Sequence, residues 1–150
     1  MAIQIGDKLP SFKATKQDGT AFDSHEIHQK PVVIYFYPKD FTPGCTTQAC
    51  NFRDAYQDFQ DLGAEVIGVS GDSATSHQNF QQKYKLPFIL LSDSDRKLRR
   101  LFGVPTALFG LLPGRVTYVF DAKGYCIYIF DSMSAKNHIE RALKAIQKAK

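Results

Sequence analysis

The run Pro31-Val-Val-Ile-Tyr-Phe-Tyr37, followed directly by Pro38-Lys-Asp-Phe-Thr-Pro-Gly-Cys-Thr-Thr-Gln-Ala-Cys-Asn-Phe-Arg53, decides the fold. The first part is almost entirely apolar, β-branched or aromatic, which predicts a central strand covered on both faces. The second part leads into a predicted helix over Thr46–Leu62, because apolar residues recur there at three- and four-residue steps. The sequence therefore predicts a buried strand that passes into a helix, with Cys45 at the N-terminus of that helix.

Cys45 occupies a position that favours an anion. Free backbone N–H groups and the helix dipole converge at a helix N-terminus, and the thiolate is the reactive form of cysteine. Thr42 offers a hydroxyl three residues upstream, and Pro38 and Pro43 restrict the loop between strand and helix. Cys50 follows five residues after Cys45 and is a candidate resolving partner. These residues predict redox chemistry at one sulfur.

The rest of the chain continues as alternating strands and helices. A β-hairpin is predicted from Phe12–Thr15 and Thr20–Asp23 around Gln-Asp-Gly, and a second hairpin from Arg115–Asp121 and Tyr125–Asp131 around Ala-Lys-Gly. The other predicted elements are a short helix over Ser24–Gln29, strands at Ala64–Ser70 and Phe88–Ser92, a helix from Gly71 to before Pro87, a helix capped by Asp93 or Ser94 with Leu98, Leu101 and Phe102 inward, a packed loop over Gly103–Gly114, and a last helix over Ala135–Lys150.

This order predicts one α/β domain over residues 1–150, with parallel central strands and an antiparallel edge. The composition is 43% hydrophobic and 13% aromatic, which argues against disorder. A net charge of +4 without a long Lys/Arg run gives no indication of nucleic-acid binding. No stretch is long and apolar enough to predict a membrane span, and no secretory signal is visible. The expected location is the cytoplasm, or an organelle such as the chloroplast if a transit peptide was removed.

The pattern Pro-x-x-x-Thr-x-x-Cys, filled by Pro38, Thr42 and Cys45, resembles the active-site signature of the peroxiredoxins. The fuller string through Cys50 resembles the peroxiredoxin Q, or bacterioferritin comigratory protein, branch. The resemblance implies a thioredoxin-like fold with a central mixed sheet, flanking helices and an N-terminal β-hairpin. It also implies a thiol-dependent peroxidase that reduces hydrogen peroxide and organic hydroperoxides.

The resemblance assigns expected roles to individual residues. Cys45 is the peroxidatic nucleophile that becomes a sulfenic acid, and Cys50 is the resolving cysteine that forms an intramolecular disulfide with it. Arg115, in Pro-Gly-Arg-x-Thr-Tyr-Val, matches the arginine that holds the thiolate and polarises the O–O bond. Thr42 is expected to hydrogen-bond the peroxide and thiolate, and Pro38 to shield the thiolate from water.

The resemblance also implies the partners. The expected substrate is a hydroperoxide and the expected reductant is thioredoxin or a similar dithiol. No metal, haem or flavin is implied, and the expected state is a monomer.

Gln48, about one helical turn beyond Cys45, is a candidate for orienting the loop or Arg115.

Helix geometry adds a prediction about the two cysteines. Five residues on an α-helix are separated by about 500° of rotation and roughly 7.5 Å of rise, so the Cα atoms of Cys45 and Cys50 would stand about 8–9 Å apart. A disulfide requires about 7 Å or less. The first turns after Cys45 must therefore unwind before Cys50 can react.

Several alternatives stay open from the residues alone. Cys50 could be a core thiol, which would leave a single-cysteine enzyme that uses an external thiol. A thioredoxin-like disulfide reductase is disfavoured, because the pair is Cys-x4-Cys and not Cys-x-x-Cys. A redox-sensing or chaperone-like binding module on the same fold is the non-enzymatic alternative.

Other chemistry-bearing residues receive structural interpretations. Cys126 alternates with apolar residues in a predicted strand, which indicates a buried structural thiol, with a bridge to Cys45 or to another chain as the alternative. The four histidines show no spacing typical of a metal site. The apolar loop, through Leu108, Phe109 and Leu111, could form a wall that favours bulky hydroperoxides or could simply pack on the core.

Overall fold

The computed structural model describes residues 2–27, 29–107 and 112–149, excepting the side chains of residues 106, 107, 112 and 113. The strands in these ranges are β1 Lys13–Lys16, β2 Ala21–Asp23, β3 Val32–Phe36, β4 Glu65–Ser70, β5 Ile89–Ser92, β6 Thr106–Ala107, β7 Leu112–Pro113, β8 Val116–Phe120 and β9 Cys126–Asp131. The α-helices are α1 Pro43–Asp61, α2 Ala74–Tyr84, α3 Lys97–Phe102 and α4 His138–Lys148, and a 3₁₀ turn covers Ser24–Ile27.

One sheet of seven strands organises these elements, in the order β2-β1-β5-β4-β3-β8-β9. Strands β3, β4 and β5 run parallel, whereas β1 and β8 pair antiparallel with β5 and β3. Strands β6 and β7 form a separate antiparallel pair. The predicted mixed sheet and the N-terminal hairpin of β1 and β2 are confirmed.

The central strand β3 separates two apolar cores, because its alternate side chains point to opposite faces of the sheet. On one face, Val33 and Tyr35 pack with buried residues of α1, α2 and α4. On the other, Ile34 and Phe36 pack with the N-terminal hairpin and α3. The whole strand is buried, as the continuous apolar run predicts.

Helix α1 begins at Pro43 and not at Thr46 as predicted. Proline fits the first helical turn, because that turn leaves N–H groups unpaired and the φ angle of proline is already helical. Thr42 becomes the N-cap, with an extended backbone. Cys45 thus lies in the first turn of the helix, in agreement with its predicted place at the helix N-terminus.

Helix α3 is only six residues long, and its inward face is narrower than predicted. Leu98 and Phe102 are buried, but Leu101 is 37% exposed, so its predicted inward orientation is wrong. The N-cap residue is Arg96, but the capping hydrogen bonds come from Asp93, one of the two predicted caps. Its carboxylate accepts from the backbone N–H groups of Leu98 and Arg99 at 2.8 and 3.0 Å.

The predicted packed loop over Gly103–Gly114 contains the β6–β7 pair. Leu108, Phe109 and Leu111, the predicted apolar wall, lie outside the described residues. Gly114 requires glycine, because a Cβ atom there would stand 2.0 Å from the carbonyl oxygen of Pro105.

A search of the described helices finds none with the length and hydropathy needed to cross a membrane.

Candidate active site

Sheet topology brings Arg115 to the end of the central strand. Strand β8 is antiparallel to β3, and Val116 pairs with Phe36 at the end of the register. Arg115 precedes Val116 and Tyr37 follows Phe36, so the two residues leave the sheet at the same edge. The loop to α1 starts at Pro38, at that edge. Two segments that are about 70 positions apart in sequence therefore meet beside Cys45.

Cys45 lies in the first turn of α1 and is 1% exposed. The Nη2 atom of Arg115 donates to its Sγ atom at 3.4 Å. A guanidinium stays protonated at all working pH values, so the sulfur faces a permanent positive charge in a buried site. The sulfur therefore lies in the first turn of the helix and beside a fixed positive charge.

Each nitrogen of the Arg115 guanidinium has its own partner. The Nε atom donates to the carbonyl oxygen of Met133 at 2.9 Å, and Nη1 donates to Oε1 of Gln48 in a short hydrogen bond. Arg115 is 4% exposed, and it takes part in no ion pair among the described residues. Gly44 leaves room for it, since a Cβ atom there would stand 3.1 Å from Nη2. The charge is therefore fixed in direction and aimed at the sulfur.

Gln48 contacts Arg115, which agrees with one of its two candidate roles. It is fully buried, and the arginine only donates, so the amide oxygen must face the guanidinium. The amide nitrogen of Gln48 has no hydrogen-bond partner within the described ranges.

His138 fixes the backbone next to Met133, whose carbonyl oxygen accepts the hydrogen bond from Arg115 Nε. Its Nε2 atom lies 3.0 Å from the carbonyl oxygen of Ser132, which can only accept, so this nitrogen carries the proton. Its Nδ1 atom then accepts from the hydroxyl of Thr117 at 2.7 Å. Burial lowers the pKa of His138, and the positive charge of Arg115 lowers it further. A neutral His138 thus keeps the Ser132–Met133 backbone in place.

Thr42 and Pro38 lie where the signature predicts, in the loop before α1. The Thr42 hydroxyl donates to the carbonyl oxygen of Lys39 at 2.9 Å and makes no side-chain cap bond to the helix. Its oxygen keeps lone pairs that can accept a hydrogen bond from a peroxide. The contact of Thr42 with substrate and the shielding by Pro38 stay predictions.

Cys50 is half-buried and lies in the same unbroken helix as Cys45. Both thiols are free. The structure thus satisfies the premise of the helix-geometry argument: while α1 is intact, the two cysteines are too far apart around and along the helix to form a disulfide.

Cys126 is separated from Cys45 by the sheet. Cys45 belongs to the core shared with α1 and α4, whereas Cys126 belongs to the core on the opposite face. Burial raises the pKa of the Cys126 thiol to about 11. The interpretation of Cys126 as a structural thiol is supported, and a Cys45–Cys126 bridge would require the sheet to open.

A buried polar network fixes the middle of the active-site loop. Asp40 Oδ1 accepts from the Tyr37 hydroxyl at 2.6 Å, and Oδ2 accepts from the Ser76 hydroxyl at 2.8 Å. The Nδ1 atom of His77 lies 2.7 Å from Oδ2, and its Nε2 atom lies 2.9 Å from the carbonyl oxygen of Leu91. Asp40 therefore links Tyr37, Ser76 and His77 in one buried network, and both ring nitrogens of His77 face oxygen atoms.

The network includes three groups of the kind that bind metals. Ligand atoms of Asp40, Asp72 and His77 lie within 4.8 Å of one another, a proximity that sequence spacing did not predict. However, Asp72 Oδ2 already accepts from the Ser70 hydroxyl at 2.6 Å and from the Asp40 backbone N–H at 2.8 Å. A cation would have to displace these donors, so hydrogen bonding accounts for the cluster.

We expect Asp40→Ala to lower the free energy of unfolding by about 3–5 kcal/mol, because it removes the buried carboxyl group that Tyr37, Ser76 and His77 share and leaves their polar atoms without a partner. The side chains of Asp40 and His77 are 1% and 0% exposed. Urea denaturation measures the change. Asp54→Ala is the matched control, since Asp54 pairs with Arg53 on the surface and should contribute about 0–1 kcal/mol. Equal losses in the two variants would contradict this role of the buried Asp40 side chain.

With this geometry defined, comparison with known proteins identifies the family. The model of the AhpC/TSA family matches residues 5–129. The chain belongs to the AhpC/TSA family. Rice peroxiredoxin Q, chloroplastic (Oryza sativa subsp. japonica), is 52% identical over 146 residues, which cover 97% of this chain and 67% of the relative. The peroxiredoxin Q resemblance seen in the active-site string is therefore confirmed.

Solved structures of AhpC/TSA proteins agree with the fold. Peroxidoxin BcpB from Mycobacterium tuberculosis is 31% identical, with a TM-score of 0.90 and 99% coverage of both chains. The bacterioferritin comigratory protein of Xanthomonas campestris, described with alkyl peroxide reduction activity, is 30% identical, with a TM-score of 0.86 over 95% of this chain and 99% of that one. The thioredoxin-like fold class is confirmed, and this AhpC/TSA member is a thiol peroxidase whose substrate is a peroxide and whose reductant is a thioredoxin-type dithiol.

Sequence reasoning missed two supports of the site. Asp40 stands inside the signature string, and Asp72 and His77 follow the next parallel strand. Because the carboxyl ends of neighbouring parallel strands lie together, that placement could have predicted their proximity. His138 offered no comparable signal, since its partners come from β8 and from an irregular turn.

Proposed function

We propose that Cys45 is the sulfur that reacts with peroxide, that Arg115 activates it, and that Cys50 resolves the product. The observation that supports this assignment most directly is the buried guanidinium of Arg115, 3.4 Å from the Cys45 sulfur at the start of a helix. Hydrogen peroxide and organic hydroperoxides are the proposed substrates.

The first step is a substitution on oxygen. The Cys45 thiolate attacks the terminal oxygen of the hydroperoxide, an S–O bond forms, and the O–O bond breaks. The sulfur is oxidised by two electrons to a sulfenic acid, and the leaving alkoxide or hydroxide takes up a proton as alcohol or water. Arg115 is placed to stabilise the negative charge as it moves from sulfur to the leaving oxygen. The Thr42 hydroxyl can accept a hydrogen bond from the peroxide O–H group, and Pro38 borders the loop that is proposed to exclude water.

The second step joins the two cysteines. The Cys50 thiolate attacks the Cys45 sulfenic acid, an S–S bond forms, and hydroxide leaves and is protonated to water. The first turns of α1 must open for this step, because the intact helix separates the two residues. A thioredoxin-like dithiol then reduces the disulfide by exchange, and the reductant becomes the disulfide.

Three further properties complete the proposal. The enzyme is proposed to work as a monomer, and residues 1–150 to form one domain. For its location, the chloroplastic peroxiredoxin Q of rice supports the organellar option over the cytoplasm. Neither the family match nor the solved structures favour a redox-sensing or chaperone-like module.

We expect Cys50→Ser to lower thioredoxin-driven peroxide turnover by about tenfold or more, because the sulfenic acid then has no internal thiol to condense with. Steady-state peroxide consumption with thioredoxin and its reductase measures the change. Cys126→Ser is the matched control and should turn over like the wild type, since its thiol lies across the sheet. Undiminished turnover in Cys50→Ser would show that the enzyme works with one cysteine.

A further inference from the structure

We propose that Arg99 is a positioning residue for the peroxide reaction. Its guanidinium fixes the two segments that carry the active-site loop and Arg115, through one carbonyl oxygen of each. This inference rests on the proposed roles of Cys45 and Arg115. Nothing in the sequence signature includes Arg99, which lies on α3.

Arg99 contacts the residue just before Pro38 and the residue just before Arg115. Its Nη2 atom donates to the carbonyl oxygen of Tyr37 at 2.8 Å, and its Nη1 atom donates to the carbonyl oxygen of Gly114 at 3.2 Å. Tyr37 immediately precedes Pro38, and Gly114 immediately precedes Arg115. One side chain therefore touches the backbone just before each half of the active site.

The position of these carbonyl groups explains why an arginine is needed. The register between β3 and β8 ends at the pair Phe36 and Val116, so Tyr37 and Gly114 lie beyond the last strand pairing. The planar guanidinium has donors in a fixed fork and can bond both oxygens at once. Arg99 thus links the ends of the two strands beyond the last residue pair between β3 and β8.

Arg99 is itself held in place from its own face of the sheet. Its guanidinium lies 5.7 Å from the ring centroid of Phe36, and its backbone N–H donates to the carboxylate of Asp93. No ion pair among the described residues includes Arg99. Burial lowers its pKa, and the negative charge of Asp93 opposes that change. The guanidinium therefore also adds positive charge on the side of the site opposite α1.

The mechanical consequence concerns alignment. Without the fork, the Pro38 loop and the backbone that carries Arg115 can shift independently. A displacement of about 1 Å between a catalytic group and the reacting atom can cost about 10²-fold in rate. The effect should appear in the peroxide step and not in the exchange with thioredoxin, because reduction follows the opening of α1.

The experiment measures the second-order rate constant for oxidation of Cys45 by hydrogen peroxide in a Cys50→Ser background. The chain has no tryptophan, so quenched-flow trapping of the sulfenic acid with dimedone and mass spectrometry replaces fluorescence. Arg99→Gln is expected to slow oxidation by about 10- to 100-fold, and Arg99→Lys by less, because lysine keeps the charge but not the fork. Arg100→Gln, an exposed neighbour on the same helix, should stay within about twofold.

Circular dichroism and thermal melting confirm that each variant is folded. In the Cys50-containing chain, the KM for thioredoxin should not change in Arg99→Gln. A folded Arg99→Gln variant that oxidises at the wild-type rate would overturn the proposal, and so would an equal loss in Arg100→Gln. If Arg99→Gln does not fold, an Arg99→Lys rate equal to wild type has the same meaning. Failure of the wild-type chain to oxidise at Cys45 would instead reject the proposed function.

Discussion

Cys45→Ser is expected to lower peroxide turnover by about 10⁴-fold or more, to the rate of the uncatalysed reaction. A serine hydroxyl is not ionised near neutral pH and is a weak nucleophile without a general base. Among the described residues, the hydrogen-bond partner of the Cys45 sulfur is Arg115, which can only donate. The alcohol therefore has no route to an attacking oxygen anion. Peroxide consumption with a thioredoxin system in excess measures the loss.

The serine variant should fold, because the substitution changes one buried atom in the first turn of α1. Cys126→Ser serves as the control for removal of a buried thiol without loss of the reactive one. Residual turnover above a few per cent of wild type in Cys45→Ser would place the reactive sulfur elsewhere. Cys50 would then be the first candidate, since it is the more exposed of the remaining cysteines.

Arg115→Met is expected to lower kcat/KM for hydrogen peroxide by about 10²–10³-fold. The Arg115 side chain places a fixed cation in contact with the Cys45 sulfur, and removal of a preorganised donor at a developing charge has effects of this size. Methionine fills part of the same volume without the charge. The measurement is the initial rate of peroxide removal at saturating thioredoxin, over a range of peroxide concentrations.

Two further variants separate charge from packing at this position. Arg115→Lys keeps the charge but loses the simultaneous contacts to Gln48 and Met133, so its rate should lie between those of wild type and Arg115→Met. Arg141→Met removes an exposed arginine from α4 and should leave the rate unchanged. A folded Arg115→Met variant with less than a tenfold loss would show that the guanidinium does not activate the sulfur.

The sequence predicted the reactive residues of the site more completely than the residues that hold them in place. The apolar run before Pro38 predicted the central buried strand, and the placement of Cys45 after Thr-Pro-Gly predicted a helix start. The structure places Cys45 within that start, and Arg115, which the family string singled out, lies beside it. Each of these inferences depends on residues that are neighbours in sequence or belong to one motif.

Contacts between distant segments were harder to predict, because they depend on strand order and on irregular turns. The register of β3 with β8 brings Tyr37 and Gly114 together, and only then does Arg99 have two carbonyl groups to bind. The acceptor for the Arg115 Nε–H is the backbone carbonyl oxygen of Met133, which a pattern of side chains cannot predict. Leu101 is exposed for a related reason. Helix α3 has only six residues, and it buries Leu98 and Phe102 but not Leu101.

The most direct test of the central claim is to locate the oxygen after one turnover. The Cys50→Ser chain, in which the sulfenic acid cannot condense internally, is treated with less than one equivalent of hydrogen peroxide and trapped with dimedone. Peptide mass spectrometry should find the adduct on Cys45 and leave Cys126 unmodified. An adduct mainly on Cys126, or peroxide consumed without an adduct on Cys45, would contradict the assignment of Cys45 as the sulfur that reacts with peroxide.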